Sequence, residues 1–201
     1  LDIGLFGGTF DPIHCGHLAV AEGVQSALNL HRIIFIPTGQ PWLKEDMAIS
    51  AAEHRVQMVR LAIAGKSGFE LSTIEVERPG PSYTVDTLGV LRRQLGTEAN
   101  LFFLLGSDAL ADFPKWKEPG RIIEMCQLVA FGRPGVALPV LSRFEKTVPG
   151  ISQRVIFAET PDVDVSATEI RTRIAQGLSV DGMVPPAVEQ YIEENHLYRE
   201  R

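Results

Sequence analysis

The chain has 201 residues, 45% of them hydrophobic and 22% charged, enough for one domain spanning 1–201 around a substantial core. A formal net charge of −6 argues against a nucleic-acid partner, so any anionic ligand must be held by a few clustered donors. No apolar run reaches the length of a membrane span, no signal-peptide pattern opens the chain, and Cys15 and Cys126 make no disulfide framework; a cytoplasmic protein is expected.

The chain begins as an apolar strand through Ile3 and Phe6 that ends in the pair Gly7-Gly8. Two glycines at a strand end let backbone approach a ligand where any Cβ would obstruct it. A short loop follows with His14 and His17, then an apolar-periodic helix over Leu18–Leu28 whose positive end faces the same spot, as suits a phosphate. The two imidazoles can be donors to charge developing on an oxygen, zinc ligands, or polar groups that cap a helix. Zinc needs three or four ligands, and no second cluster with suitable spacing supplies them.

Arg32–Ile36 is a buried parallel strand stopped by Pro37, which completes a βαβ unit with helices on both faces of the sheet. Ser50 and Glu53 have capping-box spacing ahead of a helix from Ala51 to Ala64. Phe69–Ser72 reads as a third strand with an extension over Ile74–Val76, and Pro79-Gly80-Pro81 as a turn. A helix over Tyr83–Leu95 then ends at Gly96, with Ser82 or Thr84 as its N-cap and Asp86 in its first turn. Leu101–Leu105 is the most clearly buried strand, and it runs into Gly106-Ser107-Asp108, a place where α/β sheets put ligand contacts.

Trp116 falls on a loop, where its ring either packs over the sheet edge or stacks on a flat heterocycle. A short helix through Ile122 and Met125, a strand over Leu128–Phe131 and a last strand at Val155–Phe157 follow, separated by an insertion or short helix in 134–153. Ser166-Ala167-Thr168-Glu169-Ile170-Arg171 opens a helix running to Gly177, either as a plain cap with a surface arginine or as a polyphosphate grip. The chain closes on a helix with proline in its first turn, Val184–Ile192. No Walker loop, dinucleotide fingerprint or nucleophile elbow is present.

Two of these segments together carry a resemblance. Gly-Gly-Thr-Phe-Asp-Pro-x-His-x-Gly-His at Gly7–His17 and Val-Ser-x-Thr-x-Ile-Arg at Val165–Arg171 resemble the paired motifs of a nucleotidyltransferase superfamily. Pro81–Leu88, Leu105–Leu110, Phe113–Trp116 and Val184–Ile192 are similar to segments of its bacterial nicotinate mononucleotide adenylyltransferases, so the resemblance spans nearly the whole chain.

It implies an α/β, doubly wound, mostly parallel Rossmann-like fold and transfer of AMP from ATP to nicotinate mononucleotide in NAD biosynthesis. His14, His17 and Arg171 would be catalytic. Gly7, Gly8, Thr9, Phe10, Gly106, Asp108, Ser166 and Thr168 would bind ATP, and Lys44, Tyr83, Thr84 and Trp116 the mononucleotide. Mg2+ would ride mainly on the ATP phosphates. Phosphopantetheine adenylyltransferase shares both paired motifs but gives no reason for Pro81–Leu88 with Trp116; a silent nucleotide-binding module is the alternative from another class. Self-association stays open. The chain departs from the pattern at Trp42-Leu43, where Pro-His is usual, and at Ala167, where a second serine is common.

Overall fold

In a computed structural model, residues 1–41, 49–132, 137–161 and 165–199 are described. Six strands form one sheet: β1 (Asp2–Gly8), β2 (Arg32–Pro37), β3 (Phe69–Leu71), β4 (Asn100–Gly106), β5 (Gln127–Phe131) and β6 (Val155–Ala158). Their order is β3-β2-β1-β4-β5-β6, and every pairing is parallel rather than merely most of them. The order reverses between β1 and β4, where doubly wound sheets open a crevice at their carboxyl edge. Phe6 pairs with Leu104, so Gly7-Gly8 and Leu105-Gly106 leave adjacent strands side by side at that crevice.

Among the described residues seven α-helices cover the sheet: α1 (Cys15–Ala27), α2 (Ala52–Ile63), α3 (Thr84–Leu95), α4 (Ser107–Asp112), α5 (Pro119–Met125), α6 (Ala167–Ala175) and α7 (Pro186–Glu194). The period-two alternation of the strands divides the core in two. Phe6, Ile33, Phe35 and Leu104 pack with Leu18 and Val24 of α1, Met58 and Val59 of α2, Ile170 of α6 and Val188 of α7. Leu5, Ile34, Ile36, Phe103 and Leu105 face the other way, onto Val85 and Leu88 of α3 and Ile122 and Ile123 of α5. Gly4 makes close packing at β1 feasible, since a Cβ there would stand 2.9 Å from Ile33 Cγ1.

Several local expectations are corrected. α1 begins at Cys15, three residues before Leu18, because His14 caps it. Ser50 does not cap α2: Ala51 is the N-cap without a side-chain bond, and the Ser50 N–H goes to Asp11 Oδ2 at 3.1 Å. Ile74–Val76 is a turn, not a strand extension. The N-cap of α3 is Tyr83, and neither Ser82 nor Thr84 caps it; the Ser82 hydroxyl is occupied elsewhere. α4 follows β4 without a loop, and Phe113–Lys115 is a 3₁₀ turn. Within 137–153, two 3₁₀ turns over Leu141–Arg143 and Ile151–Gln153 bury Val148 and Ile151 in the second core.

Candidate active site

The carboxyl ends of β1, β2 and β4 gather the predicted residues. After Gly8, Phe10 takes a left-handed φ of +50°, and its ring would lie 3.0 Å from a Cβ at Gly8. A side chain at position 8 would therefore press on the Phe10 ring.

His14 is the N-cap of α1 and His17 its third helical residue. His14 Nδ1 accepts the His17 N–H at 3.3 Å, and His17 Nδ1 accepts the His14 N–H at 3.2 Å. This is a capping box built from two imidazoles, whose rings stack with centroids 3.7 Å apart. An imidazole that accepts at Nδ1 carries its proton on Nε2, so the hydrogen bonds assign both tautomers and leave Nε2–H as each ring's donor. Capping and donating were alternatives in the sequence; the cap engages Nδ1 of each ring and so does not exclude donation from Nε2. The i, i+3 spacing of the two histidines was the available signal.

The late segment meets the opening one through Arg171. Its Nη1 donates to the Asp11 carbonyl at 2.7 Å and its Nη2 to Thr168 Oγ1 at 3.4 Å. Ser166 caps α6, its Oγ accepting the Glu169 N–H at 3.1 Å, while Thr168 is exposed. Gly16 lies beside the Val165 carbonyl, where a Cβ would be 3.6 Å from the oxygen. The two motifs thus form adjoining walls.

Gly106 ends β4 beside β1, and Asp108 stands exposed in the first turn of α4. Tyr83 and Thr84 start α3, with Lys117 Nζ 4.6 Å from the Tyr83 ring centroid and 3.0 Å from Asp86 Oδ2. Trp116 is half-buried against Phe103 and Phe113, at centroid distances of 6.1 and 5.3 Å. Its indole N–H is buried without a hydrogen-bond partner. The Phe103 ring also lies under Gly7, 3.3 Å from where a Cβ would be, so Trp116 is one ring away from the phosphate loop. Packing and stacking are therefore not exclusive for this side chain. Lys44 lies outside the described residues, as does Trp42.

Two buried residues, Arg55 and Asp11, and the half-buried Tyr198 were missed in the sequence. Arg55 is 2% exposed, and Asp11 is buried close to it. Arg55 donates to the carbonyls of Ser50 (3.0 Å), Thr9 (2.8 Å), Thr38 (2.7 Å) and Gly39 (3.2 Å). Burial pulls its pKa below the usual guanidinium value, and the Asp11 charge opposes that shift. Asp11 Oδ1 accepts from Tyr198 Oη at 2.6 Å, and burial raises the Tyr198 pKa, with Asp11 adding to the rise. The signal for Arg55 was a cation in register with the apolar stripe Met58, Val59, Ala62 of a helix. Nothing comparable marks Tyr198, which reaches Asp11 across the fold.

Both thiols are shifted away from the thiolate form. Cys15 is pushed up chiefly by burial, and Cys126 is pushed up to about 12 by the same cause. Among the described residues there is no group of three or more His, Cys, Asp or Glu that could hold a metal ion, and no helix long and apolar enough to cross a membrane.

A sequence model described as cytidylyltransferase-like matches residues 5–173. A relative from Dehalococcoides mccartyi, named "Probable nicotinate-nucleotide adenylyltransferase", is 48% identical over 198 residues, covering 98% of this chain and 97% of its own. One of the same name from a Roseiflexus species is 48% identical over 197 residues, covering 98% of each. The structure of Plasmodium falciparum nicotinic acid mononucleotide adenylyltransferase complexed with NaAD superposes with a TM-score of 0.78 at 20% identity, over 98% of this chain and 97% of that one, a likeness of fold. With the motifs, the strand order and these near-full-length relatives in agreement, the chain belongs to the cytidylyltransferase-like nucleotidyltransferases and, among them, to the nicotinate-nucleotide adenylyltransferase family.

Proposed function

We propose that this chain joins the AMP part of ATP to nicotinate mononucleotide, giving nicotinate adenine dinucleotide and pyrophosphate. The observation that carries this reading is the Arg171 bridge from α6 to the Asp11 carbonyl, which unites the two nucleotidyltransferase motifs around one crevice. A 5′-phosphate oxygen of the mononucleotide attacks the α-phosphorus of ATP. The bond from that phosphorus to the oxygen bridging to the β-phosphate breaks, and its electron pair leaves with pyrophosphate.

Transfer of this kind is mostly positioning and charge stabilisation. His17, and secondarily His14, direct Nε2–H donors at the α-phosphate oxygens, their orientation fixed in advance by the reciprocal cap. Arg171, Ser166 and Thr168 hold the β- and γ-phosphates. Gly7 to Phe10 line the nucleotide, and Gly106 and Asp108 face the adenosine ribose. Trp116 covers the pyridine ring, with Tyr83 and Thr84 at the start of α3 and Lys44 assisting. Mg2+ would ride mainly on the ATP phosphates and water, where it would neutralise charge on the polyphosphate. The two cysteines are free thiols, in keeping with a cytoplasmic setting.

The reading is tested by pyrophosphate release from Mg-ATP with each acceptor offered separately. Nicotinate mononucleotide should turn over most efficiently. Preferred turnover of phosphopantetheine, or ATP binding without pyrophosphate release, would overturn it. His17→Ala should keep the fold and lose about 2.7–4 kcal/mol of transition-state stabilisation, the range for one preorganised donor, read as kcat/KM. A value within a few-fold of wild type would remove the role given to His17. Trp116→Ala should raise KM for the mononucleotide and leave KM for ATP nearly unchanged; an equal rise in both would mean that the 113–116 turn had collapsed.

A further inference from the structure

Arg55 does more than satisfy loop carbonyls. Two of its acceptors, the carbonyls of Thr38 and Gly39, belong to consecutive peptide units whose N–H groups lie on the opposite side. Both N–H groups donate to one atom: Gly39 N to Ser82 Oγ at 3.1 Å and Gln40 N to the same oxygen at 3.3 Å. The Ser82 hydroxyl adjoins the buried Glu75 carboxyl group, whose Oε1 accepts from Thr87 Oγ1 at 2.7 Å. The buried Arg55 is thereby connected through two peptides to one hydroxyl oxygen, Ser82 Oγ, beside the buried Glu75, with both peptide N–H groups pointing away from Arg55. Bonds aligned like this polarise and strengthen one another in a low-dielectric interior.

The ends of this relay are what give it meaning. Arg55 also grips the Thr9 carbonyl, in the loop between β1 and the histidine cap. Ser82 directly precedes Tyr83 and Thr84, where α3 begins, and its N–H donates to the Gln40 carbonyl at 2.9 Å. Glycine at position 39 is a condition of the arrangement, because a Cβ there would stand 2.1 Å from the Glu75 carbonyl oxygen.

We propose that Arg55 and Ser82 are positioning residues that lock the phosphate loop to the start of α3 through the Thr38–Gly39 and Gly39–Gln40 peptides, setting the distance between the two bound substrates. The inference rests on reading those segments as the ATP side and the acceptor side. In-line attack needs the acceptor oxygen about 3–3.5 Å from phosphorus, and a misplacement of about 1 Å costs on the order of 100-fold. Each half-site keeps its own contacts when the relay breaks, so binding survives while turnover falls.

The test measures kcat, and separately the Kd of a non-hydrolysable ATP analogue and of the mononucleotide, for wild type, Ser82→Ala, Arg55→Lys and the double variant. The expected result is a loss of roughly 10- to 100-fold in kcat with both Kd values within about three-fold of wild type. The double variant should lose no more than the worse single one, since both cut one chain. Should Arg55→Lys fail to fold, the kcat-against-Kd split in Ser82→Ala decides alone. A Ser82→Ala enzyme with a lower melting temperature but wild-type kcat would overturn the proposal and leave Ser82 a purely structural acceptor. Losses that multiply in the double variant, or that lie wholly in one Kd, would overturn it as well. A wild-type chain inactive with the mononucleotide removes the functional reading and this inference with it; an active wild type isolates the inference.

Discussion

The structure depends on burying one guanidinium. Arg55 is 2% exposed in the interior, a position where an uncompensated charge is strongly unfavourable. Four backbone carbonyls and the nearby Asp11 carboxylate make it tolerable. Those carbonyls come from segments distant in sequence, so the cation can be satisfied only if the phosphate loop, the exit of β2 and the approach to α2 all reach their native positions. Asp11 extends the same constraint, accepting from Ser50 N–H and Tyr198 Oη while its own carbonyl receives Arg171. A folding requirement and the geometry of the candidate site thus share one set of bonds.

Rigidity of this kind is what the chemistry asks for. Phosphoryl and nucleotidyl transfer gain mainly from donors fixed before the substrate arrives, because donors that must reorient give up much of their advantage. The paired histidines illustrate the economy of the design. Each satisfies a backbone N–H at the start of α1 through its Nδ1, which fixes both tautomer and ring plane. The aromatic contacts of His17 with Phe6 and Phe10 hold that plane from the apolar side.

Much of this was legible in the sequence, and the reasons are particular. The buried strands were readable because apolar runs such as Leu101–Leu105 are long and bounded by turn residues. The segments that meet at the crevice stood out because glycines at a strand end and clustered donors are local patterns. The capping of α2 and α3 was not, because Ser50 and Ser82 have the right chemistry at the right spacing but are claimed by partners far along the chain. The Ser50 backbone goes to Asp11, and the Ser82 hydroxyl to the peptides after β2. Arg55 and Tyr198 escaped for the same reason: their meaning lies in which distant carbonyl or carboxylate they meet.

The central claim is that the crevice works by holding two substrates in line, with no group on the chain forming a bond to phosphorus. The stereochemical course at the α-phosphorus tests it most directly. A single diastereomer of ATP bearing sulfur on the α-phosphate is turned over with nicotinate mononucleotide, and the configuration of the thiophosphate in the dinucleotide is determined. Direct in-line displacement predicts inversion. Retention would require two displacements, hence an adenylylated side chain, and would contradict the account.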